Sequence, residues 1–212
     1  MKISVNEVTK YIKKALILDN VSLTLEGGHI YGLQGPNGSG KTMLMRMIAG
    51  LIRPTSGQVL IDGKALGKGM DFPPSMGLLI ENPGFLPHHT GLKNLELLAS
   101  MKNRVCLDTV RQTITDVGLN PDDKRKYKKY SLGMKQRLGV AAAIMEHPQL
   151  ILVDEPTNAL DDKGVAQICQ LLRRERERGA LIVMTCHDAS ILEEMCDEIY
   201  TIYEGRLERK VV

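Results

Sequence analysis

An α/β core interrupted by a helical insert is the fold class this sequence predicts, and three observations predict it. Short β-prone stretches crowd residues 1–61, a glycine-rich loop joins one of them to a helix, and strand signals return only after a long helical stretch. The early apolar stretches at 3–8, 15–18, 21–25, 30–33 and 59–61 are separated by turn chemistry at Asp19-Asn20, Glu26-Gly27-Gly28 and Pro54-Thr55-Ser56-Gly57, so each reads as a strand. Residues 43–49, Met-Leu-Met-Arg-Met-Ile-Ala, read as a helix. From about Thr90 to Pro148 the period becomes helical. Leu107, Val110, Ile114 and Val117 mark one face, and Gly118 supplies a stop. Ser131 is placed to cap a helix running to Ile144 or Met145, ended by His147-Pro148. Strands return at 150–153 and 181–184, with a helix over 161–178 between them.

Composition sets outer bounds. The chain has 212 residues, 43% hydrophobic and 25% charged, enough to bury a sizeable core in one domain with an insert. Its net charge of +3 is too small to argue for a polyanion partner. Four cysteines, scattered without a C-x-x-C pair, argue against a zinc site or a disulfide framework and fit a reducing compartment. No apolar run approaches the roughly 18 residues of a spanning helix, and the N-terminus has no signal-peptide apolar core, so the chain is expected not to cross a membrane unaided. Two charged runs, Lys124-Arg125-Lys126-Tyr127-Lys128-Lys129 and Arg173 to Arg178, read as a solvated loop and an exposed helix face.

The densest chemical signal is Gly35-Pro36-Asn37-Gly38-Ser39-Gly40-Lys41-Thr42, a G-x-x-x-x-G-K-[ST] string lying between a strand and a helix. Glycines leave backbone N–H groups free to point inward, and the helix adds its positive N-terminal end, so the loop is a phosphate cradle. Lys41 is placed to reach the β- and γ-phosphates and the Thr42 hydroxyl to ligate Mg²⁺. A nucleoside triphosphate is the ligand this loop fits.

A second constellation follows the buried-strand pattern Leu150-Ile151-Leu152-Val153, which runs directly into Asp154-Glu155. Both carboxylates then sit at the carboxyl edge of the sheet, near the phosphate loop. Asp154 is placed to hold Mg²⁺, and Glu155 to orient, or take a proton from, an attacking water. The strand at 181–185 ends at Cys186-His187, which brings His187 within reach of a γ-phosphate.

Taken in order, these motifs give the chain a resemblance, over essentially all 212 residues, to the nucleotide-binding domain of an ATP-binding cassette (ABC) transporter. Gly35 to Thr42 match the Walker A loop, and Tyr11 matches the aromatic that stacks on adenine. Gly77-Leu78-Leu79-Ile80-Glu81-Asn82-Pro83 stands at the Q-loop and Tyr130-Ser131-Leu132-Gly133-Met134-Lys135-Gln136-Arg137 at the signature motif. Leu150 to Glu155 match Walker B, Asn158-Ala159-Leu160-Asp161 the D-loop, and His187 the switch histidine. The chain departs from the family at Leu132 and Met134 in the signature, at Ala159 in the D-loop, and at Glu81, where the family usually has glutamine. Glu81 and the signature segment are similar to those of bacitracin-resistance and lantibiotic-immunity export ATPases.

The resemblance implies a RecA-like P-loop NTPase core with a small antiparallel β-subdomain over about 1–85 and 149–212, and an inserted α-helical subdomain over about 86–148. It implies hydrolysis of ATP with Mg²⁺. Tyr11, Gly35, Pro36, Asn37, Gly38, Ser39, Gly40, Lys41 and Thr42 would bind nucleotide, while Thr42, Glu81 and Asp154 would hold the metal. Lys41, Glu155 and His187 would carry catalysis. Ser131, Gly133 and Met134, with Asp161 of the D-loop, would meet ATP bound to a second ATPase subunit in a head-to-tail dimer. An integral membrane permease is the other implied partner, no nucleic acid is expected, and the place is the cytoplasmic face of the cell membrane, peripherally bound. Export of an antibiotic, bacteriocin or other amphipathic compound is the expected task, with import as the alternative. A soluble relative acting on nucleic acid or ribosomes would bring a long coiled coil or a second cassette, and the sequence contains neither.

Overall fold

In the computed structural model, which describes residues 1–81, 83–102 and 104–210, the early strands segregate into a sheet of their own. Strands β1 (Lys2–Ile12), β2 (Ala15–Glu26), β4 (Ser56–Ile61) and β5 (Lys64–Ala65) form an antiparallel sheet in the order β2-β1-β4-β5. Between them in the chain, β3 (Ile30–Gln34) leaves for a second sheet with β6 (Met76–Leu79), β7 (Leu150–Val153), β8 (Leu181–Thr185), β9 (Glu198–Tyr203) and β10 (Arg206–Lys210). That sheet has the order β10-β9-β3-β8-β7-β6, parallel from β9 to β6, with β10 as an antiparallel edge.

Both faces of the parallel strands are covered, which is why they read as unbroken apolar runs instead of alternating ones. Side chains still alternate in direction along each strand. Ile151, Val153, Ile182 and Met184 enter a core shared with the helices α4 (Leu132–Ile144), α5 (Asp162–Glu177) and α6 (Ala189–Met195). Leu150, Leu152, Leu181 and Val183 enter a second core with the antiparallel sheet and the helix α1 (Lys41–Ile48). The helices α2 (Gly91–Lys102) and α3 (Leu107–Asp116) complete, with α4, the excursion between β6 and β7. Among the described residues no helix is long and apolar enough to cross a membrane.

Local signals behave as their chemistry requires at the helix ends. Ser131 caps α4 by accepting the Met134 N–H at 3.2 Å, and Asp161 caps α5 by accepting the Gly164 N–H at 3.1 Å. Asp19-Asn20, expected as a turn, lies inside β2. The chain absorbs it as an irregularity: the β1–β2 register shifts between Val8 and Lys10, Asn20 takes a left-handed φ of 50°, and its N–H goes to the Thr9 hydroxyl at 3.1 Å. The expected exposed face from Arg173 to Arg178 also needs correction. Glu175 points inward at 5% exposure, held by Arg178 and by His147 Nδ1 at 3.0 Å. The lysine run is solvated except at Tyr127, whose hydroxyl donates to the Pro83 carbonyl at 2.7 Å and whose ring meets Phe85 edge-on.

The helical excursion packs tightly on the sheet at Gly77 of β6. A Cβ there would lie 1.7 Å from the Ala143 carbonyl oxygen and 2.9 Å from the Pro148 ring. Backbone cannot yield that far, so Gly77→Ala is expected to lower stability by about 3 kcal/mol. A urea titration reads this directly. An unchanged midpoint would mean that α4 does not seat on β6.

Candidate nucleotide site

β3 ends at Gln34 and the chain turns into the glycine-rich loop with no room for side chains at two of its glycines. Gly35 has φ 149°, and a Cβ on it would fall 2.2 Å from the Ile202 carbonyl oxygen on neighbouring β9. Gly40, with φ 112°, is the N-cap of α1, and its missing Cβ would sit 2.7 Å from Leu18 of β2. The Lys41 ammonium folds back over the loop and donates to the carbonyls of Gly35 at 2.7 Å and Pro36 at 3.0 Å. The Ser39 hydroxyl, buried inside the loop, is the one fully buried side-chain polar atom among the described residues without a protein partner. A cavity of about 420 Å³ opens here, lined by residues 37–43 together with Ile17, Asp154, Glu155 and His187. A larger cavity, about 610 Å³, lies beside the β9–β10 hairpin. Its Asp19 and Arg206 side chains pair with each other at 2.9 Å, and its lining has neither the glycine-rich loop nor the acidic pair.

The acidic pair reaches this cavity across an intervening strand. In the sheet order, β8 stands between β3 and β7. Asp154, just past β7, accepts a hydrogen bond from the Thr42 hydroxyl at 2.8 Å on one oxygen and from the Thr185 hydroxyl at 2.6 Å on the other. The Glu155 backbone is left-handed, with φ 53°. Its N–H donates to the Thr185 oxygen at 2.8 Å, and its carbonyl accepts from Gln136 Nε2 at 2.7 Å and from the Asn158 N–H at 3.1 Å. The Glu155 carboxylate accepts the His187 backbone N–H at 3.0 Å, while His187 Nε2 stands 3.6 Å from its other oxygen. After His187, Asp188 caps α6, and its bonds from the Ser190 hydroxyl and amide hold its carboxyl below the usual carboxylate range.

Tyr11, Glu81 and the signature residues stand outside the lining of this cavity. Tyr11 is on β1, 47% exposed, and outside the cavity lining; Ile17 of β2 occupies the adjoining wall. Glu81, expected among the metal ligands, gives its carboxylate to Arg46 Nη2 of α1 at 2.6 Å and does not line the cavity. Its neighbour in the expected hinge, Asn82, lies outside the described residues. Ser131, Gly133 and Met134, at the start of α4, are not among the residues lining the cavity, and Ser131 is exposed. Gly133 packs on the D-loop, where a Cβ would come within 2.6 Å of the Ala159 carbonyl. Ala159 itself has φ 60°, so this replacement of the family glycine carries backbone strain. Asp161 is reached by Arg137 at 3.4 Å. Thr185, Gln136 and Arg46 were not legible as site residues, although Thr185 carries a signal: a hydroxyl ending an otherwise apolar strand.

The family model described as ABC transporter matches residues 18–158. An uncharacterized ABC transporter ATP-binding protein of Bacillus subtilis, YybJ, is 47% identical over 97% of this chain and 94% of its own length. The bacitracin transport ATP-binding protein BcrA of Enterococcus faecalis is 37% identical over 99% of this chain and 68% of its own. A solved dimeric structure of the ATP-binding cassette MJ0796, in a post-hydrolysis state bound to ADP and Pi, superposes with a TM-score of 0.87 at 28% identity, covering 98% of this chain and 97% of that one. The parallel sheet is thus a RecA-like P-loop core, carrying an antiparallel β-sheet and an inserted helical part. The chain belongs to the ABC transporter family, as the ATP-binding subunit that couples ATP hydrolysis to transport.

Proposed function

We propose that this chain hydrolyses ATP at the Lys41–Asp154–Glu155 cavity, as half of a head-to-tail pair, to drive export of an antibiotic or bacteriocin-like amphipathic compound. One observation carries the reading most: Thr42, Asp154, Glu155 and His187, drawn from α1 and the ends of β7 and β8, converge on the mouth of a phosphate loop. The loop amides and Lys41 bind the phosphates, and the orphaned Ser39 hydroxyl supplies a further donor inside the loop. Glu155, oriented by the His187 N–H, holds the attacking water in line and takes up its proton. His187 presents its imidazole to the γ-phosphate side, where charge develops.

The donor chemistry fits Mg²⁺. Thr42 and Asp154 offer hard oxygens already within 2.8 Å of each other. Among the described residues no three His, Cys, Asp or Glu side chains form a cage, and substrate phosphates and water complete such a shell for this ion. When bound, the cation offsets charge on the β- and γ-phosphates. Glu81, paired with Arg46 in this arrangement, would join that shell by releasing the guanidinium.

The whole chain forms one cassette, with the core and β-subdomain at about 1–85 and 149–212 and the helical subdomain at about 86–148. Ser131, Gly133 and Met134 are not among the residues that line the chain's own cavity, and the nucleotide they meet in this reading is the partner subunit's, with Asp161 beside it. ATP closes the pair, hydrolysis releases it, and an integral membrane permease at the inner face of the cell membrane receives the motion. An antibiotic-like cargo is supported by the 37% identity to the bacitracin transport ATP-binding protein. The test is paired. The full chain should release phosphate from Mg-ATP and stop with EDTA. It should also co-purify with a polytopic membrane protein whose loss, like loss of this chain, sensitises cells to bacitracin or a lantibiotic. Phosphate release without such a partner would sink the export reading and leave the ATPase.

A further inference from the structure

The Glu155 backbone is held by side chains from two different elements, and one of them belongs to the signature helix. A non-glycine residue at φ 53° costs about 1 kcal/mol and persists only where its surroundings over-determine it. At Glu155 the surroundings are Thr185, which takes the N–H at 2.8 Å, and Gln136, which donates to the carbonyl at 2.7 Å. The Thr185 hydroxyl has one proton, committed to Asp154, so its lone pair faces the Glu155 N–H with a fixed direction. Gln136 is 8% exposed, does not line the cavity, and sits in α4 just after the Ser131 cap. Its neighbour Arg137 fastens the same turn of α4 to the Val117 carbonyl at 2.6 Å and to Gln167 of α5 at 2.8 Å.

We infer that Gln136 is a positioning residue for ATP hydrolysis: its amide ties α4 to the left-handed Glu155 backbone, so that the placement of the signature helix sets the aim of the Glu155 carboxylate. The inference rests on the proposed role of Glu155 as the group that organises water. A contact of this kind joins the two halves of the enzyme's chemistry within one subunit. When Ser131 meets the partner's nucleotide, α4 is fixed, and Gln136 passes that fixation to Glu155 through a single 2.7 Å bond. Because the Glu155 carbonyl keeps its bond from the Asn158 N–H, loss of the Gln136 donor leaves no orphaned acceptor, and the fold should tolerate it.

Gln136→Met keeps the length and volume of the side chain and removes only the donor. In the full chain it should lower kcat between about 10-fold and 100-fold, the cost of a misplaced reacting group, with KM for ATP and the thermal midpoint unchanged. Hydrogen exchange should rise over residues 152–160, where a merely structural change in α4 would raise it in α4 instead. The decisive arm is a double-mutant cycle with Glu155→Gln. If Gln136 acts through Glu155, Gln136→Met adds no further loss in that background. Unchanged kcat for Gln136→Met, or an equal loss in both backgrounds, overturns the inference. Undiminished turnover in Glu155→Gln alone overturns the underlying role of Glu155, so the two failures are told apart. Should Gln136→Met melt early, Gln136→Glu, which keeps the shape and sets an anion against the carbonyl, must show the same kcat loss and the same absence of additivity.

Discussion

Glu155→Gln will still bind ATP, will turn it over at least about 10²-fold more slowly, and will accumulate as a dimer when Mg-ATP is present. Glutamine matches the size of the glutamate, and its side-chain oxygen can go on accepting the His187 N–H that now lies 3.0 Å from the carboxylate. The backbone bonds from Gln136 and to Thr185 do not involve the side chain and survive the change. What disappears is the charge, and with it the base that takes the proton from the attacking water. Lys41, Thr42 and the loop amides are untouched, so the phosphates bind as before. A pair closed by ATP then lacks the step that opens it. Phosphate release gives the rate, and size-exclusion chromatography with Mg-ATP shows the dimer. Turnover at the wild-type level would remove Glu155 from the mechanism.

What could be read from the chain beforehand was whatever is encoded within about ten residues. A strand, a glycine-rich loop and a helix succeed one another without help from the rest of the protein, as do the apolar run ending in Asp154-Glu155 and the cap at Ser131. Pairings between distant segments were not readable. β10 is the charged string Arg206 to Lys210 and becomes a strand only because β9 supplies a ladder. The insertion of β8 between β3 and β7 is a fact of topology, and it alone places Thr185 on Asp154 and on the Glu155 amide. Glu81 is expected at the metal by its place in the chain, and its pairing with Arg46 of α1 at 2.6 Å was not readable there. Asp19-Asn20 carries turn chemistry, but β1 offers the Thr9 hydroxyl to the displaced amide, and the strand continues through it. In each case the missing information was a partner, and the residue type was right for more than one.

Mixing two inactive chains, one with Ser131→Arg and one with Lys41→Ala, will restore roughly a quarter of the wild-type ATPase rate. Lys41→Ala removes the ammonium that sits over the Gly35 and Pro36 carbonyls, and with it most of the phosphate affinity of its own loop. Ser131→Arg leaves that loop alone. Ser131 is exposed and its one bond caps α4, so the folding cost is limited to about 1 kcal/mol. Its effect falls on the surface that must close over a partner's phosphate, where a long cationic side chain cannot be accommodated. Each variant alone is therefore inactive for a different reason. In a head-to-tail pair, the loop of the Ser131→Arg chain faces the intact signature of the Lys41→Ala chain, and that composite site is whole. The opposite site carries both defects. Random pairing makes half the dimers mixed, each with one of its two sites complete, which gives the quarter. Phosphate release from the equimolar mixture, at a concentration where the wild type dimerises with Mg-ATP, reads the result. A rate no greater than the two variants measured apart would mean that each cavity works within its own chain, and that the signature segment has another use.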